Sequence, residues 1–247
     1  PDVGSARFLV AAGRAFPDAE LYGIDVDPIA VSLARGHLAA AGLAGRGRVV
    51  LGDYRETALP PFRGRTLFLG NPPYVRHHLI DASWKAWLTG TARTYGIRAS
   101  QLAGLHAHFF LATAEHAHRG DTGVFITAAE WLDVNYGTLI RELLLRTLGL
   151  RAVSVLEPAA EPFPGTATTA VITTFAVGSH ARDVIVRQVA DLGQLGVVEG
   201  GQRIRREQLE TATRWTTLTR ERVERRSGFV ELGELCRVHR GQVTGAN

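Results

Sequence analysis

The 247-residue chain has no methionine and a single cysteine, and Lys85 is the one lysine among its 28 basic side chains. A lone thiol, Cys236, rules out an internal disulfide framework and fits a reducing compartment. No apolar run approaches the ~20 residues that a membrane-crossing helix needs, and no signal-peptide pattern opens the chain. A membrane partner is therefore not expected, and the expected location is the cytoplasm. There are no internal repeats and no low-complexity tract. The missing methionine, and an opening directly on a glycine-containing loop, lead to the expectation that residues precede Pro1, among them a strand. Gly241–Asn247 is likewise expected to lead into further chain.

What is present is the composition of a foldable globular chain, 45% hydrophobic, with a formal net charge of +4. That charge permits a polyanionic partner without requiring one. The first seventy residues alternate helix and strand. Phe8, Leu9, Ala12 and Phe16 form one helical stripe over 5–16, and a short strand follows over 20–25. Asp27-Pro28 supplies an N-cap and a first-turn proline for a helix to about Ala41, and another strand runs from Arg48 to Leu51. Short connections between such units predict an α/β fold, a doubly wound and mostly parallel sheet with helices on both faces. Further helices are predicted at 81–90, 100–118 and 137–148, and strands at 122–127, 153–156, 170–177 and 183–189. An arginine-rich tract, Arg203 to Arg226, is poor in large apolar residues. A boundary is placed near 190–205, giving a catalytic domain over 1–190 and a linker with the start of a recognition region over 191–247.

The most telling stretch is Leu67-Phe68-Leu69-Gly70-Asn71-Pro72-Pro73-Tyr74. The apolar run reads as a buried strand, and the prolines stop it because neither can donate to a sheet ladder. A rigid corner then sits at the carboxyl end of a strand, where open α/β sheets bind ligands. It offers the Asn71 amide, the Pro72 carbonyl and the Tyr74 ring. Two acceptors and a flat surface suit a planar group bearing an NH2.

Three other positions fall at comparable places. Gly4, Ser5 and Ala6 are small enough for a ligand to approach the backbone, and the helix that follows favours negative charge at its start. Asp25 ends a strand roughly 20 residues after the loop, where an acid can accept from ribose hydroxyls. Asp53 ends the next strand and could accept from an adenine amine. In a doubly wound sheet these positions and Asn71 line one edge and converge on one cleft. Taken singly each has an ordinary alternative: a turn, an exposed acid, a strand-end acid.

In this order the residues resemble a class I S-adenosylmethionine-dependent methyltransferase, more narrowly the gamma-class adenine-N6 DNA methyltransferases of restriction–modification systems. The resemblance extends over nearly the whole chain. Pro1 to Leu9 is similar to the family's cofactor loop, with Ala6 in place of the last glycine. Asn71 to Tyr74 matches the catalytic tetrapeptide, and Ile126-Thr127, Trp131-Leu132 and Tyr136-Gly137 look like a later family block. The resemblance implies S-adenosylmethionine as cofactor, held by Pro1, Gly4, Ser5, Ala6, Asp25, Asp53 and Asn71. It implies double-stranded DNA as partner, in a prokaryotic cytosol, alongside a restriction or specificity subunit or a fused domain.

The implied chemistry is direct transfer. Asn71 and Pro72 would each accept one N–H of the adenine amine, localising its lone pair toward the sulfonium methyl, with Pro73 holding the corner stiff. The base must leave the duplex at a cost of a few kcal/mol. Stacking on Tyr74, with Phe163 nearby, would offset this by roughly 1–3 kcal/mol per base. Arg76, His77 and His78 are placed for a DNA backbone, and the arginine-rich tract reads either as phosphate contacts or as a solvated face. His106, His108, His116 and His118 do not make a metal site, since i, i+2 pairs do not share a helix face. Two further readings stay open: a protein-glutamine N-methyltransferase, because a carboxamide offers the same NH2, and a catalytically silent methyltransferase-fold DNA-binding subunit, suggested by the extra methyl of Ala6.

Overall fold

A computed structural model of the protein describes residues 1–160, 169–196, 200–219, 228–230 and 232–237. Its elements are α1 (Arg7–Ala15), β1 (Leu21–Asp25), α2 (Pro28–Ala40), β2 (Gly47–Leu51), β3 (Leu67–Gly70), α3 (Ala82–Thr94), α4 (Leu105–His116), β4 (Thr122–Ala128), α5 (Thr138–Glu142), β5 (Leu150–Leu156), β6 (Ala170–Ala176), β7 (Asp183–Val189), β8 (Gln202–Arg205), α6 (Arg206–Thr211), α7 (Thr216–Thr219) and α8 (Leu232–Leu235). The α2 start is the one its sequence predicts: Asp27 Oδ1 accepts from Ile29 N at 2.8 Å, with Pro28 in the first turn. The helix predicted over 137–148 is present, but after Glu142 it widens into a π turn, Leu143–Leu148. Gly149 ends it at φ 74°, where a Cβ would lie 2.1 Å from the Ala176 carbonyl oxygen, so only glycine fits.

β1 and β2 pair in parallel, and a second sheet has the order β3-β4-β6-β5-β7-β8. Within it β3, β4, β5 and β7 run one way, while β6 and β8 run the other. The predicted parallel character thus holds for most strands, with β6 reversed between β4 and β5. Among the described residues the β5–β6 connection contains only a 3-10 turn, Pro158–Ala160, and without a crossover helix neighbouring strands pair antiparallel.

Both faces of β1 are covered. Leu21 packs with Val31, Ala34 and Leu38 of α2, while Ile24 packs with Phe109 and Ala112 of α4. Burial on two faces is why this strand is apolar at nearly every position. Between β1 and β3 lies a cavity of about 590 Å³ walled by Phe8, Tyr22, Leu67 and Phe68, and the two strands belong to separate sheets.

Chain on both sides of the boundary expected near 190–205 shares one sheet and one core. β8 pairs with β7, and Trp215 lies in the main core, 1% exposed and edge-to-face with Trp131 at 5.9 Å. Its Nε1 donates to the Leu209 carbonyl at 3.0 Å, and Thr216 Oγ1 donates to Asp133 at 2.5 Å. Arg206, read from the sequence as part of a charged face, donates instead to the carbonyls of Leu145, Leu150 and Ala181. Residues 200–219 therefore pack on the same sheet and core as the elements before them.

Candidate active site

The corner after β3 begins at Gly70, where a Cβ would lie 3.3 Å from the Pro1 carbonyl oxygen and ring. The opening loop and the Asn71 corner therefore touch. Pro72 is buried and Tyr74 is 45% exposed. The Tyr74 hydroxyl donates to Asn71 Oδ1 at 2.7 Å. Burial pushes the Tyr74 phenol up to about 12, so it keeps its proton at neutral pH. Just beyond, Leu105 N at the start of α4 donates to the Val75 carbonyl at 2.9 Å and pins the corner from the other side.

The loop is fixed to β1. Val3 N donates to the Ile24 carbonyl at 3.0 Å, and Gly4 N to Asp25 Oδ2 at 2.9 Å. Asp25 Oδ1 accepts from Asp27 N at 2.9 Å, so this buried carboxylate shapes the cradle as well as facing it. It retains acceptor capacity, since an ionised carboxyl offers about four lone-pair directions. Asp2, which the sequence pattern did not mark, sits beside it at φ 51°. Its carboxyl is pushed up to about 6 by burial and by the neighbouring Asp25 charge. A cationic group arriving there would relieve that repulsion.

Ser5 accepts at its carbonyl from His37 Nδ1 at 2.7 Å. Ala6 adopts φ 61° and is fully buried in the cluster with Leu21, Val31, Ala34 and Leu38. Its methyl packs into the core. Ala6→Gly is expected to change stability by no more than about 1 kcal/mol: relief of a left-handed alanine, roughly 1–2 kcal/mol, is offset by lost burial and added chain entropy. Thermal melting and cofactor titration of the variant check this.

Asp53 is tied to Asp25 through the adjoining backbone, where Gly52 N donates to the Asp25 carbonyl at 2.8 Å. Burial alone would raise its pKa, but hydrogen bonds and charge from Arg55 prevail and hold it below the usual carboxylate range. These contacts join Pro1, Gly4, Asp25, Asp53 and Asn71 into one neighbourhood at the carboxyl ends of β1, β2 and β3. The 590 Å³ cavity is a different space: Pro1, Asp2 and Val3 border it, but Asp25, Asp53 and Asn71 do not. Phe163 lies outside the described residues.

Among the described residues no three His, Cys, Asp or Glu side chains are grouped to hold a metal. His116 Nε2 hydrogen-bonds the Tyr54 carbonyl at 2.9 Å. His106 and His108 are buried, and burial lowers both to about 4. The unfolded chain binds protons at both positions below about 6.5 while the folded chain does not until about 4, so acid favours unfolding across that window. Stability is expected to fall as pH drops from 6.5 toward 4, with a shallower fall after His108→Phe; denaturant midpoints across that range provide the check.

No protein-family model matches the chain. It is 55% identical over all 247 residues to the Type II methyltransferase M.XamI of Xanthomonas campestris pv. amaranthicola, and it spans 47% of that protein's length. Over 83 residues it is 32% identical to a tRNA1(Val) (adenine(37)-N6)-methyltransferase of Porphyromonas gingivalis, a third of each chain. The type IIG restriction endonuclease BpuSI shares the fold at a TM-score of 0.72 and 18% identity, over 89% of this chain and 29% of that one. The chain thus spans about half or less of each of these relatives.

Proposed function

We infer that this chain, a restriction–modification methyltransferase by its similarity along its whole length, is the catalytic portion of an enzyme that methylates the N6 amine of adenine in duplex DNA. The observation that supports this is the close approach of Gly70 to Pro1, which sets the backbone just ahead of Asn71 beside the opening loop anchored on Asp25. A methyl donor in the cradle and an amine acceptor at the corner would then meet within one cleft.

The donor set fits S-adenosylmethionine. Gly4 permits close approach at φ 50°, Asp25 keeps lone pairs for ribose hydroxyls, Asp53 keeps one for an amine, and the Asp2–Asp25 pair favours a cation. When bound there, the cofactor supplies an electrophilic methyl on a sulfonium. The chain does the rest by position and charge. Asn71 Oδ1 and the Pro72 carbonyl accept the two N–H bonds of the target amine, which returns lone-pair density to nitrogen and sets its direction. Tyr74, half-exposed beside them, presents a face on which an extruded base stacks. Pro73 restricts the backbone so that these groups do not drift apart. A strand ahead of Pro1 would fill the cavity between β1 and β3, and a recognition region beyond Asn247 would choose the sequence. A cognate restriction enzyme or fused nuclease completes the proposed system.

The test offers labelled S-adenosylmethionine to the full-length protein with duplex DNA, tRNA or a glutamine-bearing release factor. The expected result is label in DNA that digests to N6-methyladenine. Label confined to tRNA or to protein would overturn the assignment.

A further inference from the structure

Every buried side-chain polar atom without a partner among the described residues falls in one place: Arg55 Nη1 and both ring nitrogens of His108. Leaving such atoms unpaired costs roughly 1–3 kcal/mol each, so a cluster of them in a folded protein needs a reason. Arg55 is 9% exposed and grips Asp53 with both arms of its fork, Nε to Oδ1 at 2.9 Å and Nη2 to Oδ2 at 2.5 Å. Arg55 N donates to Oδ1 as well, at 2.9 Å. Of about four lone-pair directions on the carboxylate, three are taken. The one left is on Oδ2, and its orientation is set by the guanidinium.

The guanidinium is itself held. Its carbon lies 3.4 Å from the Trp84 ring centre, a stacked cation–π contact. Trp84 meets Trp87 edge-on at 5.8 Å, and Trp87 stacks on His108 at 5.8 Å with the planes 14° apart. His108 belongs to α4, whose first N–H pins Val75 beside the Asn71 corner. A chain of ring contacts therefore runs from Arg55, after β2, through Trp84 and Trp87 to His108 on α4, the helix whose first N–H bonds Val75.

We propose that Arg55 is a positioning residue that leaves Asp53 a single aimed acceptor, and thereby makes the cofactor pocket select a six-amino purine over a six-oxo purine. This rests on the cofactor assignment above. One free lone pair suits one amine N–H. A six-oxo purine would place a carbonyl oxygen against the carboxylate oxygen, and Arg55 prevents Asp53 from turning away or taking up a proton. Lysine cannot substitute fully, since it offers a point charge and no planar fork.

The experiment is calorimetric titration of the full-length protein with S-adenosylhomocysteine and with S-inosylhomocysteine, for the unaltered protein, Arg55→Ala and Arg55→Lys. The unaltered protein is expected to prefer the adenosyl compound by about tenfold or more, the worth of one hydrogen bond. In Arg55→Ala that preference is expected to shrink to within about threefold while the inosyl affinity holds or rises; Arg55→Lys falls between them. If Arg55→Ala does not fold, as melting reports, the preference is read from Arg55→Lys. Equal losses for both compounds would assign Arg55 a merely structural role and overturn the proposal. So would an unaltered protein that binds both equally, a result that leaves the methyltransferase assignment standing. An unaltered protein that binds neither overturns that assignment and this proposal with it.

Discussion

Replacing Asn71 by alanine is expected to lower the rate of methyl transfer to DNA by roughly a hundred- to thousandfold, the usual cost of removing one group aimed at developing charge. Cofactor affinity should weaken by about tenfold or less, the worth of one hydrogen bond. The asymmetry follows from the corner itself. Asn71 is the first residue past β3, on a backbone stiffened by Pro72 and Pro73, and its oxygen is already within hydrogen-bond reach of a donor, the Tyr74 hydroxyl. Asn71→Asp keeps an oxygen at the same reach and should lose less. Single-turnover methylation beside cofactor titration separates the two quantities. A variant that binds cofactor normally and methylates at the unaltered rate would remove Asn71 from the chemistry.

Trp215→Ala is expected to have the largest effect on stability, about 3–5 kcal/mol as for other fully buried large side chains, or roughly 10 °C in melting temperature for a domain this size. The indole is 1% exposed against Trp131, and its Nε1 bond to Leu209 would also be lost. Arg214→Ala, one residue away on the exposed side, serves as the control and should shift melting by less than about 0.5 kcal/mol. Equal, small effects for both would mean that residues 200–219 contribute little to the main core.

These two residues also mark what is local in the sequence and what is not. The strand end and corner before Asn71 are legible because their geometry is local: an apolar run and two prolines fix it without help from distant chain. Asp27-Pro28 is legible for the same reason, and the structure starts α2 there. Trp215 was hidden because burial of one tryptophan among arginines leaves no period to detect; its partners, Trp131 and Leu132, lie some eighty residues earlier. Arg206 misleads similarly, since a charge on three carbonyls looks the same in sequence as a charge in water. The reversal of β6 depends on pairings with β4 and β5 that no single segment encodes. At the site, Asp25 and Asp53 could be placed at strand ends from the alternation alone. That one also braces Gly4 and the other is clamped by Arg55 depends on backbone angles and on Trp84, thirty positions away.

The bond from Tyr74 to Asn71 has a consequence for how a base is admitted. The Asn71 oxygen proposed to receive the adenine amine accepts a hydrogen bond from the Tyr74 hydroxyl. Under the proposed mechanism an extruded adenine would exchange one donor for another at that oxygen. Under the same mechanism thymine, which has no exocyclic amine, would bring no amine donor to replace that hydroxyl, so the bond predicts discrimination by donor exchange as well as by shape.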